Sequence, residues 1–453
     1  MIPPKPPARP RRISLWRYMR LFRRDILSAQ PAHLYHAWMA EFRTPFFRSY
    51  MINDPALVRR VLNERPDDFP KSGRVTEGLR LLLGQSVFLT NGAKWKRQRR
   101  IIDPAFEGGR LRDTFPAMLA AADAAVARLG TMTEGPIEIE AEASHVAADI
   151  IFRTLFSIPI EHRLAGEVFA AFRAHQRSQP ILNLAAFLPL PTWMPRLFRR
   201  EARATARHIR RLIHELTAAR LAEIASGSAP DDLATKIMTT TDPETGDRFD
   251  LSEMFDQVAI FFLAGHETSA SAQSWALFLL ATHPEWQDRV ANEASGLGRS
   301  FSSLSNLKIT RDVFREALRL YPPVPMMVRE AARPEEFRAR AVAPGGQIVI
   351  SPWHIHRHER LWDNPDAFDP ARWQSDAGKA SAREAFLPFS SGPRVCTGAG
   401  FAMVEGVVVL SRIVGAFRIE AVEGRVPVPV AHLTVRAQDG IWLRLTRRDS
   451  TAG

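Results

Sequence analysis

The chain has 453 residues, of which 45% are hydrophobic, and a formal net charge of +12. Its longest apolar runs, such as residues 258–264, fall far short of the ~20 residues that span a bilayer, so we expect no membrane-spanning helix. The positive charge is dispersed and no base-stacking or groove-reading motif accompanies it, so nucleic-acid binding is not expected either.

The first 30 residues form a segment rich in proline and arginine, with no apolar core typical of a secretory signal. A single cysteine fits a reducing compartment, so we expect a cytoplasmic protein. Residues 31–453 contain no linker, low-complexity block or internal repeat. This favours one domain over the several that the length alone would allow.

Helical spacing of apolar residues dominates the rest of the chain. It predicts helices over residues 115–129, 141–156, 199–225 and 250–283. Short strand-like segments, bounded by proline, glycine or aspartate, occur at residues 46–52, 347–351 and 440–447. The predicted fold is therefore mainly α with small β-sheets.

A basic run extends from Gly92 to Arg100. Trp95 and Arg99 are four residues apart, so a helix would point the indole N–H and the guanidinium to the same side. A solvated helix face is the simpler interpretation of such a run. The other charges in it are Lys94, Lys96, Arg97 and Arg100.

The segment over residues 250–283 has the strongest helix signal. Asp250 or Ser252 can cap its start, Glu253 lies in the first turn and Pro284 stops it. It would be about 45–50 Å long. Because its middle is apolar on both faces, we expect it to be buried and to support a site.

The middle of this segment combines small residues with an acid and an alcohol. Ala264 and Gly265 leave room beside the backbone, and Thr268 can turn its hydroxyl to the Ala264 carbonyl. Glu267 and Thr268 together could pass protons to an oxygen ligand bound in an apolar groove. A kinked helix with Glu267 paired elsewhere is the alternative.

Two further patterns follow. Glu316 and Arg319 are three residues apart and can pair on one helix face, which by default would be a solvated surface pair. His354, His356 and His358 alternate, so a strand would place three imidazoles on one face as possible metal ligands.

The only cysteine, Cys396, lies in a loop that is rich in chemistry-bearing residues. Gly392 and Gly398 allow the backbone to approach something flat and bulky, and Arg394 offers a fork of donors suited to a carboxylate. The apolar run from Phe401 predicts a helix that starts just after Cys396. The helix dipole would lower the thiol pKa and hold an anionic sulfur, which could ligate haem iron.

This loop resembles the haem-ligand loop of the cytochrome P450 family of haem-thiolate monooxygenases. The matching residues are Phe389, Gly392, Arg394, Cys396 and Gly398. The helix over 250–283 resembles the family's oxygen-activating element. The resemblance extends from about Asp54 to the end and implies haem held between that helix and the loop.

The resemblance also implies roles for individual residues. Thr268 would support the bound oxygen ligand, and Glu267 would relay protons from solvent. Glu316, Arg319 and Arg372 would brace the loop before Cys396, and the histidine stretch would be a strand-to-loop passage without metal. The expected haem-binding residues are Cys396, the axial ligand, with Trp95, Arg99, Arg329, Arg394, Gly392, Phe389, Gly398 and Ala264.

The expected reaction is insertion of one oxygen atom from O₂ into an apolar organic substrate. Candidate pocket residues are Val87, Phe88, Ile181, Leu184, Ala264, Val324, Met326 and Met327. No flavin or dinucleotide-binding segment is evident, so a separate ferredoxin or flavodoxin-type donor and its reductase would supply electrons. Lys94, Lys96, Arg97 and Arg100 would face that donor.

A monomer without a membrane anchor is expected. A peroxide-driven oxygenase and a haem-binding sensor or carrier remain alternatives, although neither needs the pair Glu267 and Thr268.

Overall fold

The computed structural model describes residues 1–10, 13–43, 48–107, 109–178 and 200–448. Helices dominate, as the sequence predicts. The helices are α1 Leu15–Arg24, α2 Pro55–Arg59, α3 Gly73–Leu83, α4 Gly92–Ile102, α5 Arg110–Leu129, α6 Ile139–Leu155, α7 Arg163–Ser178, α8 Arg200–Ser226, α9 Leu233–Thr239, α10 Leu251–Thr282, α11 Pro284–Ala294, α12 Lys308–Leu320, α13 Pro352–Ile355, α14 Asp376–Ala385 and α15 Ala399–Ala416.

The strands form small sheets at the edge of the helical body. One sheet has the order β1-β2-β7-β4, in which β2 and β7 are parallel, and another has the order β3-β11-β8. Two short pairs, β5-β6 and β9-β10, are antiparallel. The strands are β1 Met39–Arg43, β2 Arg48–Ile52, β3 Ile137–Glu138, β4 Met327–Glu330, β5 Glu335–Phe337, β6 Arg340–Val342, β7 Gln347–Ile350, β8 Phe417–Ala421, β9 Pro429–Ala431, β10 Val435–Ala437 and β11 Trp442–Arg447.

Helix α10 runs through the core and confirms the predicted helix over 250–283. Asp250 caps it: its side chain accepts from the Glu253 amide, and the Glu253 side chain accepts from the Asp250 amide. Pro284 begins α11, where its ring is tolerated at the first position. Most of α10 is buried, because apolar residues occupy every side of the helix and no single stripe faces solvent.

Helix α15, which follows Cys396, is the one helix among the described residues that is long and apolar enough to cross a membrane. Just over half of it is buried in the molecule. It packs against α5 and α11, as a core helix does.

The proline-rich start of the chain packs on the helical body. The Tyr321 hydroxyl donates to the Pro4 carbonyl at 2.7 Å, and Lys5 forms an ion pair with Asp366. The Arg9 amide donates to the Gln30 carbonyl at 3.1 Å. The first two contacts attach the start of the chain near the end of α12, and the third attaches Arg9 to the segment after α1.

A buried ion network supports the segment before the cysteine loop. Arg319 donates to both Glu316 carboxylate oxygens, at 2.8 and 2.9 Å, and Arg372 donates to the same carboxylate at 2.9 Å. The pair Glu316–Arg319 is fully buried, so the default of a solvated surface pair is wrong here. Burial alone would raise the pKa of Glu316, but the charges and hydrogen bonds of Arg319 and Arg372 hold it below its ordinary value.

His356 connects this network to the cysteine loop. Its Nδ1 lies 3.1 Å from the Arg319 carbonyl, and its Nε2 accepts from the Leu387 amide at 2.8 Å. Leu387 is two residues before Phe389. The imidazole must therefore be neutral, with its proton on Nδ1.

The other two histidines face different partners. His354 shares a hydrogen bond with the Ser351 hydroxyl, and the His358 ring stacks on Trp38. The segment is the short helix α13 and the turn after it, which scatters the three imidazoles in three directions. A strand face with three metal ligands is therefore not formed.

We predict that the free energy of unfolding decreases as the pH falls below about 6.5, partly through His356. Burial, with the positive charges of Arg319 and Arg357, lowers its pKa to about 3. Between these two pKa values the unfolded chain is protonated at this histidine and the folded protein is not. The resulting loss of unfolding free energy is absent above the unfolded pKa and reaches about 2 kcal/mol at pH 5.

Urea unfolding at several pH values would measure this slope. His356→Gln should flatten it, because glutamine cannot take up the proton. His36→Gln, at an exposed histidine, should leave it unchanged. A wild-type slope that persists in His356→Gln would contradict the prediction.

Candidate active site

A cavity of about 640 Å³ lies between the middle of α10 and the cysteine loop. Ala264 and Thr268 line it from α10, and Phe389 and Cys396 line it from the loop. Most of its surface is apolar. The structure thus brings together the two elements that the sequence singled out.

Cys396 presents its sulfur to this cavity from inside the molecule. Its amide donates to the Phe389 carbonyl at 2.9 Å, and Gly398 caps the start of α15, so the position just before a helix is confirmed. Burial raises the pKa of the Cys396 thiol, against the lowering effects of the Gly398 amide and the Arg99 charge. In the protein alone, burial therefore outweighs the lowering expected from the helix, and a bound metal ion would favour the thiolate.

Gly392 and Gly398 of the loop lack a side chain for different structural reasons. A Cβ on Gly398 would meet no atom within 4 Å, so this position leaves open space for a flat group. Gly392 has φ +70° and a Cβ there would lie 2.1 Å from the Leu62 carbonyl oxygen. Close packing against Leu62, rather than against a cofactor, explains Gly392.

Cationic side chains gather around Trp95 at one end of the cavity. The guanidinium carbons of Arg394 and Arg99 lie 5.1 and 5.8 Å from the centre of the Trp95 ring, and the Lys71 ammonium lies 5.6 Å away. Arg329 lines the same cavity. The structure brings all four predicted residues together and adds Lys71, which no sequence motif indicated.

The charge of this cationic cluster is only partly balanced: Arg99 pairs with Asp103 at 2.8 Å and Arg394 lies 3.8 Å from Asp67. Lys71 and Arg329 have no carboxylate within 4 Å in the described part of the chain. Burial, followed by the charge of Arg329, lowers the pKa of Lys71 to about 6, and burial lowers that of Arg329 to about 10. The buried Nε atoms of Arg329 and Arg394 have no hydrogen-bond partner in the described structure. Two carboxylates entering here would relieve both deficits, as the propionates of a haem would.

The middle of α10 has the local geometry that the sequence predicts. The Thr268 hydroxyl donates to the Ala264 carbonyl at 2.6 Å. A Cβ on Gly265 would lie 2.4 Å from the Ile151 side chain, so this glycine allows α6 to approach rather than leaving space in the cavity.

Glu267 lies at the cavity wall but is paired with residues of β10 and the turn before it. One carboxylate oxygen, Oε1, accepts from the Thr434 hydroxyl at 2.7 Å and from Arg436 at 2.9 Å. The other, Oε2, is buried and has no partner in the described structure. The side chain of Glu267 is 3% exposed and that of Arg436 is 43% exposed, so one hydrogen bond joins the buried acid to a group in contact with solvent.

A second buried acid, Glu405, accepts a hydrogen bond from the Ser269 hydroxyl. Burial raises the pKa of Glu405 to about 8, although the Ser269 hydroxyl and the Gln273 amide donate to it. Glu405 is therefore neutral at pH 7, unlike an ordinary glutamate. Neither Glu405 nor Arg436 stood out in the sequence, because their partners come from distant segments.

The basic face of α4 is balanced within the chain. Each of the four charges assigned to an electron donor has a carboxylate within 4 Å, which leaves little net charge there for an acidic partner. The pairs are Lys94–Glu253, Lys96–Asp67, Arg97–Glu253 and Arg100 with Asp242 and Glu244.

The predicted pocket residues agree with the lining of the cavity wherever they are described. Val87, Phe88, Val324, Met326 and Met327 all line it. Ile181 and Leu184 lie outside the described residues.

Comparison with known proteins identifies the family. The family model "Cytochrome P450" matches residues 9–443, so the resemblance starts earlier than Asp54. Cyclooctat-9-en-7-ol 5-monooxygenase of Streptomyces melanosporofaciens is 34% identical over 418 residues, which cover 90% of this chain and 87% of the relative. Pentalenene oxygenase of Streptomyces avermitilis is 31% identical over 422 residues, 91% of each chain. Cytokinin hydroxylase of Arabidopsis thaliana is 28% identical over 407 residues, 88% of this chain and 78% of the relative.

The extent of the family match, the apolar cavity and the partly unbalanced cations near a thiol that faces the cavity all lead to one assignment. Haem b with the Cys396 thiolate as its axial ligand is the cofactor, O₂ is the oxidant and a redox partner supplies electrons to oxidise an apolar substrate. The chain belongs to the cytochrome P450 family and is a haem-thiolate monooxygenase, which inserts one oxygen atom from O₂ into an apolar organic molecule.

Proposed function

We propose that the substrate is a terpenoid or a terpenoid alcohol. The names of the two Streptomyces relatives refer to such compounds, and the cavity surface is overwhelmingly apolar. An apolar wall stabilises a bound hydrocarbon by burying its surface and offers few hydrogen bonds. Selection among substrates would therefore depend mainly on how well their shape fits the cavity.

A binding screen tests this assignment. Terpenoid hydrocarbons, terpenoid alcohols and fatty acids of similar size would be titrated into the haem-loaded protein while its Soret band is recorded. We expect terpenoids to shift the band at the lowest concentrations. Preferential binding of the fatty acids would contradict the proposal.

We propose roles for individual residues that the geometry supports. Cys396 would bind the iron, and Arg99, Arg329 and Arg394 would bind the haem carboxylates beside Trp95. Lys71 would join them, because an entering anion favours its charged form. Bound haem would supply the activation of O₂. The chain would hold the haem and the substrate in place, exclude water from the cavity and deliver protons.

We propose that Glu267 carries protons from the side of Arg436 to the cavity. It is the acid that both lines the cavity and contacts a solvent-exposed group. Thr268 would receive the proton at Oγ1, whose own hydrogen is given to the Ala264 carbonyl. This arrangement favours O₂-dependent turnover over a peroxide-driven oxygenase or a sensor, since neither alternative needs a proton route.

The remaining proposals concern the electron donor, the oligomeric state, the location and the domain organisation of the protein. We propose a ferredoxin or flavodoxin-type donor with a separate reductase, a monomeric state, a cytoplasmic location and no membrane-spanning anchor. We further propose that residues 31–453 form the single haem domain and that residues 1–30 are an N-terminal segment packed on it, which contributes Tyr18 and Phe22 to the cavity wall. The contacts of Pro4 and Lys5 with the helical body show how that segment is attached.

The first experiment is the spectrum of the dithionite-reduced protein with and without carbon monoxide. Thiolate ligation by Cys396 should give a strongly red-shifted Soret band. In Cys396→Ser the red-shifted band should be lost, because an alcohol is a far weaker acid than a thiol and offers no thiolate sulfur to the iron. An unshifted band in the wild type would contradict thiolate ligation.

A further inference from the structure

We propose that helix α1 docks the protein on an anionic lipid surface, next to the substrate cavity. This role does not depend on the catalytic assignments above. It rests on the residues of the outer face of α1, on the lack of carboxylate partners for its arginines and on the cavity behind the helix.

The outer face of α1 combines an aromatic ring with positive charge. Trp16 is 87% exposed. At 100° per residue, Arg20 and Arg23 fall within about 60° of Trp16, and Arg17 and Arg24 extend the same side. All four arginines are exposed.

These charges are not balanced inside the described part of the chain. None of the four arginines of α1 forms an ion pair with a described carboxylate, and α1 itself contains no acidic residue. Arg24 has only the Gln438 amide oxygen, at 3.2 Å. The basic face of α4, by contrast, is paired throughout.

The inner face of α1 belongs to the cavity. Tyr18, Met19 and Phe22 line it. Tyr18 and Phe22 lie on the side of the helix away from Trp16, and Met19 lies at the border, about 60° from Trp16. One helix, about 10 Å thick, therefore separates an apolar cavity from the exposed basic face. An apolar substrate dissolved in a membrane would be within a helix diameter of its site.

The chemistry of this face fits lipid better than an acidic protein. Exposed tryptophan is favoured at the boundary between hydrocarbon and water, where its ring is buried and its N–H is solvated. Guanidinium groups bind phosphates with two hydrogen bonds. Clustered arginines beside a membrane are attracted to anionic lipid headgroups, while the apolar side of α1 stays on the protein.

Co-sedimentation with vesicles tests the proposal. The full-length haem-loaded protein would be mixed with phosphatidylcholine vesicles, with or without phosphatidylglycerol. We expect sedimentation only with the anionic vesicles and weakening by salt. The double variant Arg20→Glu/Arg23→Glu should reduce the affinity by about 30-fold or more, and Trp16→Ser should reduce it further at high salt.

A matched control separates a local site from overall charge. Arg299→Glu/Arg383→Glu changes the net charge by the same amount at two exposed arginines elsewhere and should retain binding. An unchanged carbon monoxide spectrum would show that each variant is folded. Absence of vesicle binding in the wild type, or equal loss in both double variants, would overturn the proposal; the first result would leave an acidic protein as the partner of this face.

Discussion

Replacing Glu267 by glutamine should lower the rate of product formation by about 100-fold or more, while haem binding stays intact. Glutamine has the same shape and can still accept from Thr434 and Arg436 at its amide oxygen. It cannot release and regain a proton at neutral pH. Electrons would still be consumed, so the product formed per electron pair should fall more than the rate of cofactor oxidation.

Glu405→Gln provides the matched control. This acid is equally buried and also lines the cavity, but its raised pKa, about 8, keeps it neutral at pH 7. Glutamine mimics that neutral form, so turnover should change little. If both variants lost product formation equally, a general effect of perturbing the cavity wall would replace the relay assigned to Glu267.

Arg436 allows the route itself to be tested. Arg436→Lys keeps a cation beside Glu267 and should retain most of the coupling of electrons to product. Arg436→Gln removes the cation, and the solvent isotope effect on product formation should increase if proton supply becomes slower. An isotope effect that is identical in both variants would place the route elsewhere.

Local features of the site could be predicted because they depend on residues a few positions apart. The cap of α10 at Asp250, the bond from Thr268 to the Ala264 carbonyl and the pairing of Glu316 with Arg319 all lie within one helical turn. Such contacts follow from helix geometry alone.

Long-range features could not be predicted in the same way. Distant segments bring Lys71 to the cavity and Arg436 to Glu267, so no spacing in the sequence predicts either contact. The pKa of Cys396 depends on how completely the folded chain excludes water from the sulfur, which the helix that follows cannot reveal. Gly392 also has a tertiary reason, the nearby Leu62 carbonyl.

The second large effect concerns stability. Replacing Arg319 by methionine should cost about 3–5 kcal/mol of the free energy of unfolding, because it leaves Glu316 as a buried charge with only Arg372 to balance it. It also leaves carbonyls of His356, Pro365 and Ala367 without the donors they have now. The pKa of Glu316 should then rise, since its largest favourable charge is gone.

Arg315→Met on the same helix is the control. Arg315 stacks on Trp373, with its guanidinium carbon 4.2 Å from a ring centre, and has its carboxylate partner Asp312 at 3.7 Å. Because it is partly exposed, its loss should cost only about 1 kcal/mol. Urea unfolding of both variants, with haem content measured in parallel, compares the two positions.

The haem content distinguishes two roles of the network. The Arg319 side chain donates to the His356 carbonyl, and the His356 ring accepts from the Leu387 amide just before the cysteine loop. If the network braces that loop, Arg319→Met should lose haem at urea concentrations where its helices are still folded. Simultaneous loss of haem and helix would show that Arg319 stabilises the whole fold, and a cost no larger than that of Arg315→Met would show that the buried charge is tolerated.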